Sequence, residues 1–372
     1  MESGNARWLG LSVIALACVL YSMDLTVLNL AIPAISADLQ PSSAQLLWIV
    51  DIYGFMVAGA LITMGTLGDR IGRRRLLMIG AGAFGVASVL AAFSNSAEML
   101  IVTRALHGLA GATIAPSTLS LIRNMFEDPA ERMKAIGIWI SSFSIGAVMG
   151  PLVGGVLLEY FWWGSVFLIN VPVMLLLLVL APRLLPEYKD ESAGRMDISS
   201  AALSLSAVLL IIYALKHTAE TGLNMTGALI MATGIVLGTW FVRRQSTLSD
   251  PLIDLNLFKA PGFVAVLGTY LLSSLTMFGV YVFIAQYLQL VLGFTPLVAG
   301  AWTVPWALAF VVGTNITPWL AKRLGQARLV VCGLLGTAIG FAGLALLTVQ
   351  ADMVVLVTAT VVLALGLSPM FT

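Results

Sequence analysis

Three charged side chains stand where charge is expensive. Asp24, Asp51 and Arg104 lie well inside long apolar runs, whereas 16 of the 18 acidic residues fall in hydrophilic segments or at their margins. On insertion scales such a group costs about 2.5 to 3.5 kcal/mol at mid-bilayer, so it marks proton or ion handling unless it is locked in a pair. Burial disfavours the charged form of a carboxyl and a nearby arginine favours it. A carboxyl under both influences can load and release a proton as access to it alternates. Counting about 1.5 Å per residue from the segment ends places all three groups in the outer half of the membrane, where they can meet. A static Asp51–Arg104 pair that merely locks helices together is the competing reading for Asp51; for Asp24, proton or cation handling is favoured. His107, one turn after Arg104, could relay protons, yet a lone helical histidine is more often a hydrogen-bonded packing residue.

The segments carrying these groups read as membrane helices. Of 372 residues, 59% are hydrophobic and only 10% charged, with a mean hydropathy of +1.00; a soluble domain carries roughly a quarter charged residues. Apolar windows between charged or Pro/Gly-rich breaks predict twelve spans, near 8–32, 46–67, 76–93, 98–122, 135–158, 163–181, 198–215, 224–241, 262–292, 297–320, 328–348 and 353–371. These runs lack the alternating polarity of membrane strands. The first is too long for a signal peptide and reads as a retained helix. Of the 19 basic residues, 17 fall at the N-terminus or after even-numbered spans, with Lys216 on the opposite side and Arg104 inside a span. By the positive-inside rule the N-terminus and those loops are cytoplasmic. A net charge of +1 excludes bulk attraction to nucleic acid, and Cys18 and Cys332, both inside apolar runs, exclude a disulfide scaffold and a zinc site.

Two loops resemble each other. Leu67 to Arg75 aligns with Leu320 to Arg328 at an offset of 253 residues, Pro116 falls on Pro369, and Leu39 to Trp48 resembles Leu292 to Trp302 with one residue inserted. Internal repeats of this kind mark two-half transporters. The expected organisation is a six-helix bundle over 1–182, a cytoplasmic linker over 183–197, an inserted helix pair over 198–241, a second linker over 242–261, and four helices of a second bundle over 262–372. Two further helices are expected beyond Thr372, which makes this a C-terminally truncated chain with 12 of 14 helices.

Glycines supply the remaining pattern. Gly146, Gly150, Pro151, Gly154 and Gly155 put small residues four apart around a proline, which allows close helix contact and a bend; packing alone could account for them. Gly108 and Gly111, before Pro116, allow similar contact. The stretch Gly65 to Gly72 lacks the context of a phosphate-binding loop, so an ATP-driven pump is unsupported. Tyr53, Trp139, Phe143, Phe278, Tyr281 and Trp306 are candidate faces for a cationic substrate, although membrane aromatics more often pack or anchor.

At these residues the chain resembles the major facilitator superfamily. Gly65 to Arg75, G-T-L-G-D-R-I-G-R-R-R, is similar to its loop signature between helices two and three. Arg104 with Gly108 and Gly111 is similar to its fourth-helix signature, and Gly146 to Gly155 to its antiporter pattern in helix five. Asp24 to Pro33 looks like the first-helix signature of the fourteen-helix drug:proton antiporter branch. Trp48 to Tyr53 and Phe167 to Pro172 extend the similarity to quaternary-ammonium and methyl viologen efflux proteins. The resemblance implies an all-α, two-bundle transporter. It implies Asp24 as the proton or cation carboxylate, Asp51 as a second one at the outer vestibule, and Arg104 as the partner that modulates protonation. Gly65, Gly68, Asp69, Arg70, Gly72 and Arg73 would form a cytoplasmic clamp, and the Gly146 to Gly155 run a bend that limits leak. Val304 to Trp319 holds no acid, and Lys322 replaces the repeat's aspartate.

The expected function is proton-coupled export of lipophilic organic cations by a monomer in a bacterial inner membrane. No cofactor, metal, nucleic acid or enzymatic activity is expected. A metabolite or sugar carrier of the same fold, for which only Arg104 and amides such as Asn29, Gln286 and Gln289 offer contacts, and an inactive or regulatory fragment are the alternatives.

Overall fold

A computed structural model describes residues 2–189, 197–248, 251–347 and 352–371. Its helices are α1 (Glu2–Leu39), α2 (Ser43–Ile71), α3 (Arg73–Ala92), α4 (Ala97–Gly111), α5 (Ile114–Met125), α6 (Pro129–Tyr160), α7 (Ser165–Leu168), α8 (Asn170–Leu184), α9 (Ile198–Thr221), α10 (Met225–Gln245), α11 (Pro261–Gln286), α12 (Pro296–Leu324), α13 (Gln326–Leu344) and α14 (Met353–Phe371). A short 3-10 turn, Leu255–Lys259, precedes α11, and a π turn, Tyr287–Val291, follows it. Among the described residues twelve helical segments are long and apolar enough to cross a membrane, in the order the sequence predicts.

Two predicted spans are broken, and proline explains both. The fourth divides into α4 and α5 at Ala112 and Thr113, because Pro116 has no N–H for the Ala112 carbonyl. The Thr113 hydroxyl turns back to donate to the Ala110 carbonyl at 2.7 Å. The sixth divides at Ile169, where Pro172 likewise leaves the Leu168 carbonyl without a helical donor.

Caps set the helix starts. Ser42 and Gln45 form a reciprocal capping box on α2, and Asp128 accepts from the Ala130 and Glu131 amides to start α6. In the first half, α1 runs alongside α6, with α3, α5 and α8 completing a core that includes Ile14, Tyr21, Phe84, Leu121 and Leu177. Arg7 lies 3.8 Å from Glu131, so the starts of α1 and α6 share one face. Gln45 donates to Glu98 at 2.5 Å, which puts the starts of α2 and α4 together. Helices α9 and α10 pack on each other and α9 packs on α2; α12 and α13 both pack on α14. Large apolar side chains such as Val86, Val102, Val179 and Val236 are exposed, as on a surface facing lipid.

The repeat is more regular than its residue types suggest. Helices α2 and α12 each hold 29 residues, starting at Ser43 and Pro296 and ending at Ile71 and Leu324. Ser42 and Thr295 cap them, and Gly72 and Gly325 follow them with φ of 109° and 82°. Every one of these pairs is 253 positions apart. The one-residue insertion expected before Trp302 is therefore absent: Trp48 corresponds to Ala301. Similar tryptophans one position out of register had suggested it.

Candidate functional site

Asp24 and Arg104 meet in the centre of the first helical half. The carboxylate is 0% and the guanidinium 1% exposed, and Arg104 Nη1 is ion-paired with Asp24 Oδ2. Asn170 Nδ2 donates to the other carboxylate oxygen at 3.3 Å, and its own Oδ1 has no hydrogen-bond partner among the described residues. Arg104 Nε donates to the Ile49 carbonyl at 3.4 Å. The guanidinium carbon lies 4.6 Å from the Tyr53 ring centroid and 5.7 Å from that of Phe167. Four helices and one short helical turn thus contribute: α1 the acid, α4 the base, α2 the carbonyl and Tyr53, α7 Phe167 and α8 the amide. A charge pair this dry is stable only with its remaining donors and acceptors satisfied, and the aromatic faces add cation–π attraction. His107 is fully buried one turn along α4, its Nε2 2.7 Å from Ser88 Oγ and its ring 4.5 Å from that of Phe84. Its Nδ1 is buried without a hydrogen-bond partner among the described residues.

Asp51 stands elsewhere. It is ion-paired with Lys216 of α9, both side chains about a third exposed at 32% and 31%. The expected meeting of Asp51 with Arg104 is thus corrected. Tyr53, two residues later, is the α2 side chain that faces Arg104, and two helical residues turn the side chain by about 200°. Asp51 is nearly level with Arg104 along the helices and points away from it.

The loop between α2 and α3 is tied to two neighbours. Asp69 and Arg73 form an ion pair one turn apart, and Arg73 Nη1 donates to the Pro116 carbonyl at 3.4 Å. A side chain at Gly68 would sit 3.0 Å from Arg73 Cδ, so the glycine gives that arginine its passage. Gly65 faces Pro116 across the same seam. Arg70, expected in the clamp beside Asp69, keeps Nε and Nη1 buried without a hydrogen-bond partner among the described residues. The second neighbour is Glu187, whose carboxylate accepts from the Arg74 and Arg75 amides at 3.0 and 3.2 Å and lies 3.6 Å from Arg74 Nε. It caps α3 from 112 and 113 residues away in sequence, where the helix dipole favours negative charge. Tyr188 adds a carbonyl to the Arg73 amide at 2.8 Å. At φ +109° Gly72 is in a conformation side chains rarely adopt, and a Cβ there would meet the Glu187 carboxylate at 2.6 Å.

The glycine run of α6 faces α1. Side chains at Gly146, Gly150 and Gly154 would collide with the Val19 carbonyl, Thr26 Oγ1 and Val27 Cγ2. Helix α6 continues through Pro151 and past Gly155, to Tyr160. Pro151 looks the other way, onto α12, where a Cβ at Gly300 would come within 3.1 Å of it. Asn315 of α12 donates to Ser141 of α6 at 3.2 Å. The run is a close-packing stripe with α12 on its far side, a contact between the two halves.

With this geometry in place, comparison with known proteins is decisive for the family. The model described as Major Facilitator Superfamily matches residues 14–372. The chain belongs to the Major Facilitator Superfamily. It is a multi-pass membrane transporter and not an enzyme. The multidrug efflux pump LfrA of Mycolicibacterium smegmatis is 46% identical over 359 residues, which cover 96% of this chain and 71% of that protein. The methyl viologen resistance protein SmvA of Salmonella typhimurium is 38% identical over 341 residues, covering 91% and 69%. The proton:xylose symporter XylE shares the fold, with a TM-score of 0.66 over 99% of this chain and 81% of that one at 16% identity.

In this superfamily member the candidate aromatic residues divide. Tyr53 is wholly buried under Arg104 and donates to the Tyr21 carbonyl at 3.2 Å, so it belongs to the ion-pair site and not to a cavity wall. Trp139 packs edge-on to Phe143 at 4.9 Å and donates to Thr118 at 2.9 Å; Phe143 in turn meets Tyr21 at 5.7 Å. Tyr281 and Trp306 lie 5.5 Å apart in the second half. The side chains of Phe278, Asn29, Gln286 and Gln289 lie outside the described residues. Sequence reasoning missed Asn170 and Glu187 as site residues. A lone amide in an apolar run signals the first; nothing in the linker's composition signals the second. No group of three or more metal-ligating side chains occurs among the described residues.

Proposed function

We propose that this transporter is a proton-coupled antiporter that exports lipophilic organic cations from the bacterial cytoplasm across the inner membrane, with its N-terminus and basic loops inside. The observation that carries the reading is the dry Asp24–Arg104 pair. The names of the relatives, a multidrug efflux pump and a methyl viologen resistance protein, agree with it.

The chemistry follows from charge. Arg104 is held by the Ile49 carbonyl and two aromatic rings, so its positive charge stays in place. Asp24 supplies the single negative charge beside it, already balanced by the guanidinium, so the site takes at most one added positive charge, either a proton or an organic cation drawn to the carboxylate. Two at once would raise the net charge of this low-dielectric site to +2, at a further cost of several kcal/mol. Exclusive occupancy is what antiport requires. Asn170 serves both states: Nδ2 donates to the carboxylate, and after a half-turn of the amide Oδ1 can accept from the carboxylic acid. Because the pair is closed to solvent here, exchange needs the halves to rock about their contact between α6 and α12.

Ethidium efflux from energised vesicles tests this. Efflux that stops when a protonophore collapses the gradient is expected; efflux indifferent to the gradient would contradict it.

A further inference from the structure

His107 is a buried titratable group that the exchange at Asp24 leaves unused, although it stands one turn from Arg104 on α4. Its surroundings suit a cation. Ser88 Oγ of α3 lies 2.7 Å from Nε2, and a hydroxyl accepts from an imidazolium N–H as readily as it donates to a neutral ring. The Phe84 carbonyl of α3 also faces the ring. The ring centroids of Phe84, of Phe167 from α7 and of Tyr53 from α2 lie 4.5, 5.9 and 6.5 Å away. Tyr53 and Phe167 are the same two rings that flank the Arg104 guanidinium. Aromatic faces attract positive charge. Two charged groups act on His107: Asp24 of α1, which attracts a positive ring, and Arg104 of its own helix, which repels one. Buried ring nitrogens are normally hydrogen-bonded, so the unpartnered Nδ1 calls for a functional account.

We propose that His107 is a second seat for the proton exchanged at Asp24: it holds the proton while the Asp24–Arg104 pair stays made, and passes it to Asp24 when the pair opens. The proposal rests on the export reading above and deepens it. A proton on Asp24 leaves Arg104 buried without its counter-ion. A proton on His107 leaves the ion pair intact and rests among aromatic rings. Either way the net charge of the site is +1, so the two seats exclude each other, and one organic cation displaces a proton from both. In the transfer an N–H bond of the imidazolium breaks, an O–H bond forms on Asp24, and the ring returns to neutral.

The chain has two histidines, His107 and His217. Nitrogen-15 spectra of the histidine-labelled full chain in bilayers therefore read the charge of each ring, with His217→Gln assigning the signals. At about pH 5, within reach of histidine titration, the His107 ring is expected as imidazolium. Saturating tetraphenylphosphonium should convert it to the neutral form at the same pH. Asp24→Asn should do so without the cation, because Arg104 is then the sole charge and a second positive one is repelled. His107→Gln should bind tetraphenylphosphonium as the unaltered chain does and exchange it for protons about tenfold more slowly, a smaller loss than removal of a catalytic acid. A His107 ring that is neutral without the cation, or an imidazolium that survives both cation binding and Asp24→Asn, would overturn the second seat alone; the spectra decide this even where His107→Gln does not fold. No tetraphenylphosphonium binding by the unaltered chain would overturn the export reading together with it.

Discussion

The Arg104 guanidinium holds the Asp24 carboxylate on one side and lies 4.6 Å from the centroid of the Tyr53 ring on the other. The base is therefore fixed, and the acid is the member of the pair free to change its state.

Removing only the base should be worse for stability than neutralising both. Arg104→Ala leaves Asp24 buried and unpaired, a loss of about 3 to 5 kcal/mol. The double variant Asp24→Asn/Arg104→Gln keeps the volume and hydrogen bonds without charge and should regain most of that, yet remain inactive in export. Thermal unfolding in detergent, set beside dye efflux, checks both halves of the claim. Equal destabilisation in the single and double variants would show that the pair is not the source of the strain.

The stripe on α6 predicts an order among glycines. A Cβ at Gly146 would strike the Val19 main chain, which cannot yield, whereas one at Gly150 would strike the Thr26 hydroxyl, which can rotate away. Gly146→Ala should cost about 1 to 3 kcal/mol and Gly150→Ala clearly less. Melting temperatures of the two variants in the same detergent decide the order.

Glu187 and Gly72 should be coupled. Each single change, Gly72→Ala or Glu187→Ala, is expected to destabilise the α2–α3 turn, the first by about 1 to 3 kcal/mol of backbone strain and steric conflict. Once Glu187 is removed, part of the conflict at Gly72 disappears, so the double variant should lose less than the sum. Amide exchange at the start of α3 measures this, and strict additivity would refute the contact.

At the start of α9, Asp197 accepts from the Ser199 amide at 3.1 Å, from Ser200 Oγ at 2.7 Å and from Arg244 Nε at 2.7 Å. The Arg244 hydrogen bond, with that of Ser200, holds its carboxyl well below the usual range. A carboxyl lowered by folding contributes stability that is full above its unfolded value of about 4 and is lost as pH falls toward its folded one. Protection of the first α9 amides should accordingly hold at neutral pH and decline only in strong acid. Asp197→Ala should reduce that protection about fivefold at pH 7, the usual effect of losing a cap. Hydrogen exchange followed against pH tests both statements.

Relative level along the helices was legible in the sequence and direction was not. Hydropathy and the basic loops locate twelve spans in order, and the motif around Asp69 and Arg73 marks the turn that the structure ties down. Counting rises brought Asp24, Asp51 and Arg104 to one level. A level says nothing of azimuth, and long apolar runs with no clear polar face leave helix rotation undetermined. That is why Asp51 fell to Lys216 and why Tyr53 lies beneath Arg104 instead of lining a cavity. The partners of the α3 start were hidden for another reason: Glu187 acts through backbone amides, which have no residue type to read.

The central claim is that a proton and an organic cation exchange at Asp24. It is tested most directly in liposomes that contain the purified chain and a lumenal pH dye. Addition of tetraphenylphosphonium should move protons across the membrane in the opposite direction to the cation, and Asp24→Asn should abolish that movement while Asp24→Glu retains part of it. Proton movement in Asp24→Asn at the unaltered rate would contradict the account.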